Sequence, residues 1–231
     1  MEKEYFVSEE TWNYRFWWIE KDNYVESKKK YLDQYFDNEK TDNEKVVDRL
    51  YLSVRYLFDS CVKVIEKNFD CVIRLVKVCN DNVRVPLETV YNDEVFEESL
   101  KAGSEEWRYL VVNMNSLENI AERLLKKKCT GVKREKYIED WCQYLEGVMV
   151  QELAHILFLE DVVRDNKRKI LFVKQMKDYP KMNDSLSIVD RQAKYLTVDI
   201  EKHGRMVEVD FLSRIYPNSW AEAWVKKDLG S

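Results

Sequence analysis

A glutamate and a histidine stand three positions apart in the stretch QELAHILFLE, residues 151 to 160. Residues at this spacing share one face of a helix. Helical bundles that bind two metal ions use Glu-x-x-His pairs of this kind, together with glutamates from neighbouring helices. Glu152 and His155 are therefore candidate metal ligands, and Glu118 or Glu122 are candidates for further oxygen ligands.

The second Glu-x-x-His pair that such a bundle requires is missing from the chain. The only other histidine is His203, and the residue three positions before it is Ile200. Glu152 continues an apolar stripe and is expected to face inward, where a carboxylate has to be paired, protonated or coordinated. With fourteen tyrosines in the chain, an ordinary hydrogen bond to a tyrosine or an arginine is the alternative to a metal. We favour that alternative, and we predict no cofactor.

Other catalytic signatures are absent from the sequence. No arginine lies four to six residues before either histidine, which is the spacing that some helical RNA-cutting domains use to hold a phosphate and move its proton. GxxxxGK[ST], GxGxxG, GxSxG and HExxH do not occur either. The sequence therefore predicts no catalytic residue.

The elements that position these residues are predicted to be helices. Hydrophobic residues make up 45% of the chain and charged residues 35%, while Gly (5) and Pro (3) are scarce, which favours long helices. Thr41 and Glu44 form a capping-box pattern, and the helix that contains Glu152 is expected to reach about Asp165. We predict an all-α fold in one domain, residues 1–229, as a bundle of seven to nine helices. Residues 205–211 alternate with a period of two and are the one candidate for a short extended segment, while residues 230–231 resemble a cloning scar.

The charge distribution argues against nucleic acid as the main partner. The formal net charge is −5, whereas affinity for nucleic acid depends on clustered cations that neutralise phosphates. Basic runs at residues 28–30, 126–128 and 167–169 are each diluted by nearby acidic residues. We expect a basic protein partner, and a nucleic-acid-associated or phage-defence regulator remains an alternative.

Aromatic residues are concentrated near the start of the chain. Trp12, Tyr14, Phe16, Trp17 and Trp18 lie within seven positions, and consecutive helical positions point in different directions. Since Trp and Tyr are enriched at binding hot spots, Trp12, Trp17 and Trp18 are candidates for partner binding. The alternative is a helix enclosed between layers of the bundle.

Cysteine usage and hydropathy predict a cytoplasmic protein. The five cysteines are odd in number and lack CxxC spacing, so they are expected to be reduced thiols. The first residues lack a basic region followed by an apolar one, and no apolar run reaches the roughly 18 residues needed to cross a bilayer. We therefore expect neither a secretion signal nor a membrane span.

The segment DSLSIVDRQAKYLTVDIEKHGRMVEVDFLSRIYPNSW, residues 184–220, has a recognisable order of features. A helical pattern closes at His203 and Gly204, a valine-glutamate-valine stretch follows at residues 207–209, and Pro217 precedes the last helix. This order resembles the closing segment of a mostly helical family of immunity proteins that protect bacteria from polymorphic toxins.

The resemblance implies a cytosolic, non-enzymatic protein that binds and blocks a toxin. The acidic charge and the abundance of aromatic residues favour the same function, because acidic surfaces speed the capture of basic proteins. Two alternatives stay open, namely a helical metal-dependent enzyme that uses Glu152 and His155 and the regulator mentioned above. The sequence does not indicate the oligomeric state.

Overall fold

The computed structural model describes residues 16, 18–35, 39–69, 71–80, 85–90, 108–127, 131–178 and 199–228. These residues confirm a mostly helical fold. They form seven helices and a small sheet. The helices are α1 (Lys21–Gln34), α2 (Asp42–Phe69), α3 (Met114–Lys126), α4 (Val132–Arg164), α5 (Asn166–Asp178), α6 (Asp199–Ile215) and α7 (Trp220–Asp228). The strands are β1 (Arg74–Val78), β2 (Leu87–Val90) and β3 (Tyr109–Asn113).

Helix α4 is the centre of the core. It runs for 33 residues without a break, as the sequence predicted, and every residue from 145 to 160 except Glu152 is buried. A helix that is apolar on all sides has to be enclosed by other elements, and α2 and α6 make the most extensive contacts with it.

Helix α2 begins with the capping box expected from the sequence. The Glu44 amide donates to Thr41 Oγ1 at 3.3 Å, and the Thr41 amide donates to Glu44 Oε2 at 2.8 Å. These two bonds satisfy amides that have no partner inside the helix. The start of α2 is therefore fixed, and its apolar face, which includes Leu50, Val54 and Leu57, packs into the core.

The strands form one sheet in the order β1-β3-β2. β1 is parallel to β3, with Val76 opposite Val111, and β2 is antiparallel to β3, with Thr89 opposite Leu110. β3 carries most of the buried side chains of the sheet, and β2, whose Leu87 and Thr89 are buried, lies against α4. The sheet therefore occupies one flank of the central helix.

Two expectations about the chain between residues 200 and 215 are wrong. Residues 205–211 are helical rather than extended, because Val207, Phe211 and Leu212 fall on one buried face at helical spacing. Gly204 lies inside α6 instead of ending a helix. The sheet was not predicted. The fold is therefore mostly helical, as expected, but not all-α.

Some predictions concern residues outside the described part of the chain. They are Trp12 and Trp17 as partner contacts and the scar at residues 230–231. Phe16 to Glu20, which are described apart from residue 17, precede α1 and are not helical.

Candidate functional site

Glu152 and His155 lie where α4 meets β2 and α6. His155 Nδ1 is 3.3 Å from Glu152 Oε2, and His155 Nε2 is 3.3 Å from Glu201 Oε2 of α6. All three side chains are largely removed from solvent, with exposed fractions of 4% for His155, 12% for Glu152 and 4% for Glu201. The imidazole thus bridges two carboxylates that sequence spacing alone does not bring together.

The charge of His155 follows from these neighbours. Burial by itself lowers the pKa of His155, but the carboxylates of Glu201 and Glu152 outweigh burial and raise the pKa to about 10. The ring is therefore an imidazolium at neutral pH. An imidazolium donates from both nitrogens and has no lone pair to offer a metal ion.

The carboxylate of Glu152 is also engaged by the sheet. The Thr89 amide donates to Glu152 Oε2 at 2.8 Å, and Thr89 Oγ1 donates to the Glu152 carbonyl oxygen at 3.2 Å. Glu118 and Glu122 are exposed on α3. Within the described residues, no group of three or more His, Cys, Asp or Glu side chains is arranged to hold a metal ion. The geometry therefore makes the pair a connector between α4, α6 and β2.

A second buried ionic network joins α1 to α4, and sequence reasoning missed it. Lys28 Nζ is 2.6 Å from Glu146 Oε1 and 3.3 Å from Glu139 Oε1. Tyr24 and Tyr216 donate their hydroxyls to Glu146 Oε2 at 3.0 Å and 2.6 Å.

Lys28 keeps its charge in this network. Burial by itself lowers the pKa of Lys28, and the charge of Glu146 outweighs burial, so the pKa is raised well above its ordinary value. The sequence contained one indication of this network. Glu146 is a charged residue within the apolar run of α4, and a buried charge needs a partner. Lys28 was not recognised as that partner because it belongs to a run of three lysines, a pattern typical of a solvent-exposed helix face.

The aromatic surface, defined as Trp141, Tyr144, Trp220 and Trp224, lies where α4 meets α7. The ring centroids are 5.5 Å apart for Trp141 and Tyr144, 6.0 Å for Trp141 and Trp220, and 5.8 Å for Trp220 and Trp224. Trp220 is 41% exposed and Trp224 is 47% exposed. Four rings therefore form one continuous patch that solvent reaches.

The start of α7 fixes the orientation of this patch. The Glu222 amide donates to Ser219 Oγ at 3.1 Å, and Glu222 accepts from Ser213 Oγ at 2.8 Å and from the Asn218 amide at 2.5 Å. Ala221 and Val225 are fully buried on the inner side of α7. Positions 220 and 224 therefore share the outer side, one helical turn apart.

Trp18 is the one candidate from the N-terminal aromatic cluster that the structure describes. It is half-buried, packs against the core, and its ring lies 5.3 Å from that of the fully buried Phe16. This agrees better with enclosure between layers than with an exposed contact. Trp220 and Trp224, which the structure shows exposed, lie near the other end of the sequence. Their four-residue spacing was visible there, but it was not interpreted as a shared helix face.

Comparison of the chain with protein-family models, with curated proteins and with solved structures finds no match. In the described part of the chain, no helix has the length and apolar content needed to span a bilayer.

Proposed function

We propose that this chain is a non-enzymatic binding protein that neutralises a partner protein. Its partner is a basic bacterial toxin, and the chain acts as the matching immunity protein by occluding the toxin. The observation that supports the proposal is the aromatic surface with its two exposed tryptophans. The buried ionisable side chains Lys28, Glu146 and His155 form ion pairs within the core, which is compatible with a protein that acts through its surface.

Exposed tryptophans at this density suit the centre of a protein interface. Each of the two indoles presents roughly 100 Å² to solvent, given that a tryptophan buries about 150 to 250 Å² when enclosed. That area is small beside the roughly 800 Å² per partner of a standard interface. Hot spots, however, are few and central, and tryptophan is the residue most enriched in them.

The rigidity of the aromatic surface adds to its suitability for binding. Trp220 contacts Trp141, Tyr144 and Trp224, so its ring is held in place before any partner arrives. Ordering a side chain at an interface otherwise costs about 0.5 to 1.5 kcal/mol. Preorganised rings avoid much of this cost, and the net charge of −5 favours a basic partner.

Under this proposal, the gene adjacent to this one is expected to encode a toxin, and the test is protection of growth in bacteria that produce that gene product. Co-expression of the wild-type chain is expected to restore growth, whereas the double variant Trp220→Ser and Trp224→Ser is expected to lose protection. Ile170→Ser is the matched control, because Ile170 is an exposed apolar residue, 74% accessible, on α5. Absence of protection by the wild type would reject the immunity function. Full protection by the double variant would show that the aromatic surface is not the toxin-binding site.

A further inference from the structure

A cleft of about 760 Å³ opens between α1, α2 and the first turns of α4. Its apolar walls include Val25 and Leu32 of α1, Val46 of α2, Leu125 of α3 and Ile138 of α4. Small-molecule sites have volumes of roughly 300 to 1,000 Å³, with mostly apolar walls and few polar groups. The cleft has the size and the lining of a ligand site, and it is separate from the aromatic surface.

Three of the six cations that line the cleft are already paired with carboxylates. Lys28 faces Glu146, Glu139 and the Tyr216 hydroxyl. Arg49 pairs with Glu135 at 2.5 Å and with Glu139 at 3.3 Å. Lys40 pairs with Asp48 at 2.6 Å. These side chains build the cleft and have little capacity left for a ligand.

Arg134 differs from these cations. It lines the cleft one helical turn before Ile138, and it is half-buried. Its Nε–H group is buried and has no acceptor within the part of the chain that the structure describes. A buried donor without an acceptor is unfavourable, and a guanidinium offers paired donors that match a carboxylate.

The acidic residues at the cleft are mostly engaged by cations or screened. Glu135 and Glu139 contact Arg49 and Lys28, but Lys28 also faces Glu146, so these two cations serve three carboxylates. Asp33 and Asp42 are exposed, so water and salt screen them.

We infer that this cleft binds a small amphipathic carboxylate, with the carboxylate on Arg134 and the apolar body against Val25, Leu32 and Ile138. The inference goes beyond the proposed function and does not depend on it. A carboxylate beside the half-buried guanidinium of Arg134, followed by an apolar body against aliphatic walls, adds a charge-assisted contact and covers apolar surface in one event.

The experiment is isothermal titration of the full chain with dodecanoate below its micelle-forming concentration. We expect saturable binding at one site. Arg134→Gln is expected to weaken binding about tenfold or more, the usual effect of losing a hydrogen-bonded charge. Lys133→Gln removes an adjacent exposed charge outside the lining and should leave the affinity unchanged.

Two further measurements separate a specific site from unspecific adsorption. Dodecyltrimethylammonium, with the same chain and the opposite charge, should bind far more weakly than dodecanoate. Val25→Asn should weaken binding without unfolding the protein, because Val25 is 41% exposed. Binding without saturation, equal affinity of the Arg134→Gln variant, or equal binding of the cationic amphiphile would each overturn the inference.

Discussion

The imidazolium of His155 contributes to stability through the two carboxylates that flank it. Replacing His155 with glutamine leaves Glu152 and Glu201 buried without their shared cation, which is expected to cost about 3 kcal/mol. The effect also depends on pH. The pKa of His155 is about 10 in the folded chain and about 6.5 in the unfolded chain. Its contribution is therefore complete below about pH 6.5 and is lost as the pH rises toward 10.

Urea denaturation at pH 6 and at pH 9 tests this prediction. The free energy of unfolding of the wild type should fall between the two pH values, and the His155→Gln variant should lose most of that difference. The control variant Ser27→Ala, on the exposed side of α1, retains the bridge and should keep the pH dependence. An identical pH dependence in the wild type and in His155→Gln would contradict the assigned charge.

Lys28 provides a second prediction at the level of single residues. Its ammonium is 2.6 Å from the fully buried carboxylate of Glu146, so Lys28→Met leaves that charge uncompensated. We expect a loss of about 3 to 5 kcal/mol in the free energy of unfolding, and partial recovery when Glu146→Gln is added. Lys30→Met is the control, since Lys30 and its partner Glu26 are each 70% exposed, and should change stability by less than about 0.5 kcal/mol. Equal effects of the two lysine variants would contradict the buried network.

At the scale of elements, two glycines set the packing of α4 against α6. A Cβ at Gly204 of α6 would lie 2.5 Å from His155 Nε2, and a Cβ at Gly147 of α4 would lie 3.0 Å from Glu208 Oε1. Each glycine thus makes room for an ionisable side chain of the opposite helix. The close approach of α4 and α6 depends on both glycines.

Substitution of Gly204 measures that dependence. Glycine to alanine inside a helix normally gains about 1 kcal/mol. At Gly204 the new methyl group would overlap the ring of His155, which is held between two carboxylates, so we expect a net loss of about 1 to 3 kcal/mol. Gly147→Ala should cost less, because its nearest contacts, Glu208 Oε1 and Leu212 Cδ1, would lie at 3.0 Å rather than 2.5 Å. Ser27→Ala on the exposed side of α1 is the control, and a Gly204→Ala protein as stable as the wild type in urea would contradict this packing.

The helices were predictable where local signals agreed, and the sheet was not. The capping box at Thr41 and the unbroken stripe of α4 depend on neighbouring residues only. β1 continues the apolar pattern of α2, and a short apolar run does not distinguish strand from helix. Its pairing with β3, Val76 opposite Val111, joins residues far apart in sequence and depends on tertiary contacts.

The candidate site was predictable only in part, for a similar reason. The spacing of Glu152 and His155 indicated a shared helix face, which the structure confirms, and the inward position of Glu152 followed from its stripe. Glu201, the other partner of His155, lies in a different helix that no local pattern connects to α4. The valine-glutamate-valine stretch at residues 207–209 suggested a strand because its residue types alternate, whereas the structure buries the neighbours Val207 and Glu208 together and leaves Val209 half-buried.

At the scale of the whole molecule, the ionisable groups of the described core are joined to one another, while the aromatic surface faces solvent. Lys28, His155 and their carboxylates hold α1, α4, α6 and the sheet together. Paired charges in the core and aromatic rings at the surface are the arrangement expected of a rigid framework that presents a fixed binding patch.

Hydrogen exchange of the free chain and of the chain mixed with the toxin that the proposed function assigns to it tests this role. We expect toxin binding to slow amide exchange in residues 137–144 and 220–228, the two segments that carry the aromatic surface. Slowed exchange confined to other segments, such as α5 at residues 166–178, or no change in any segment, would contradict it.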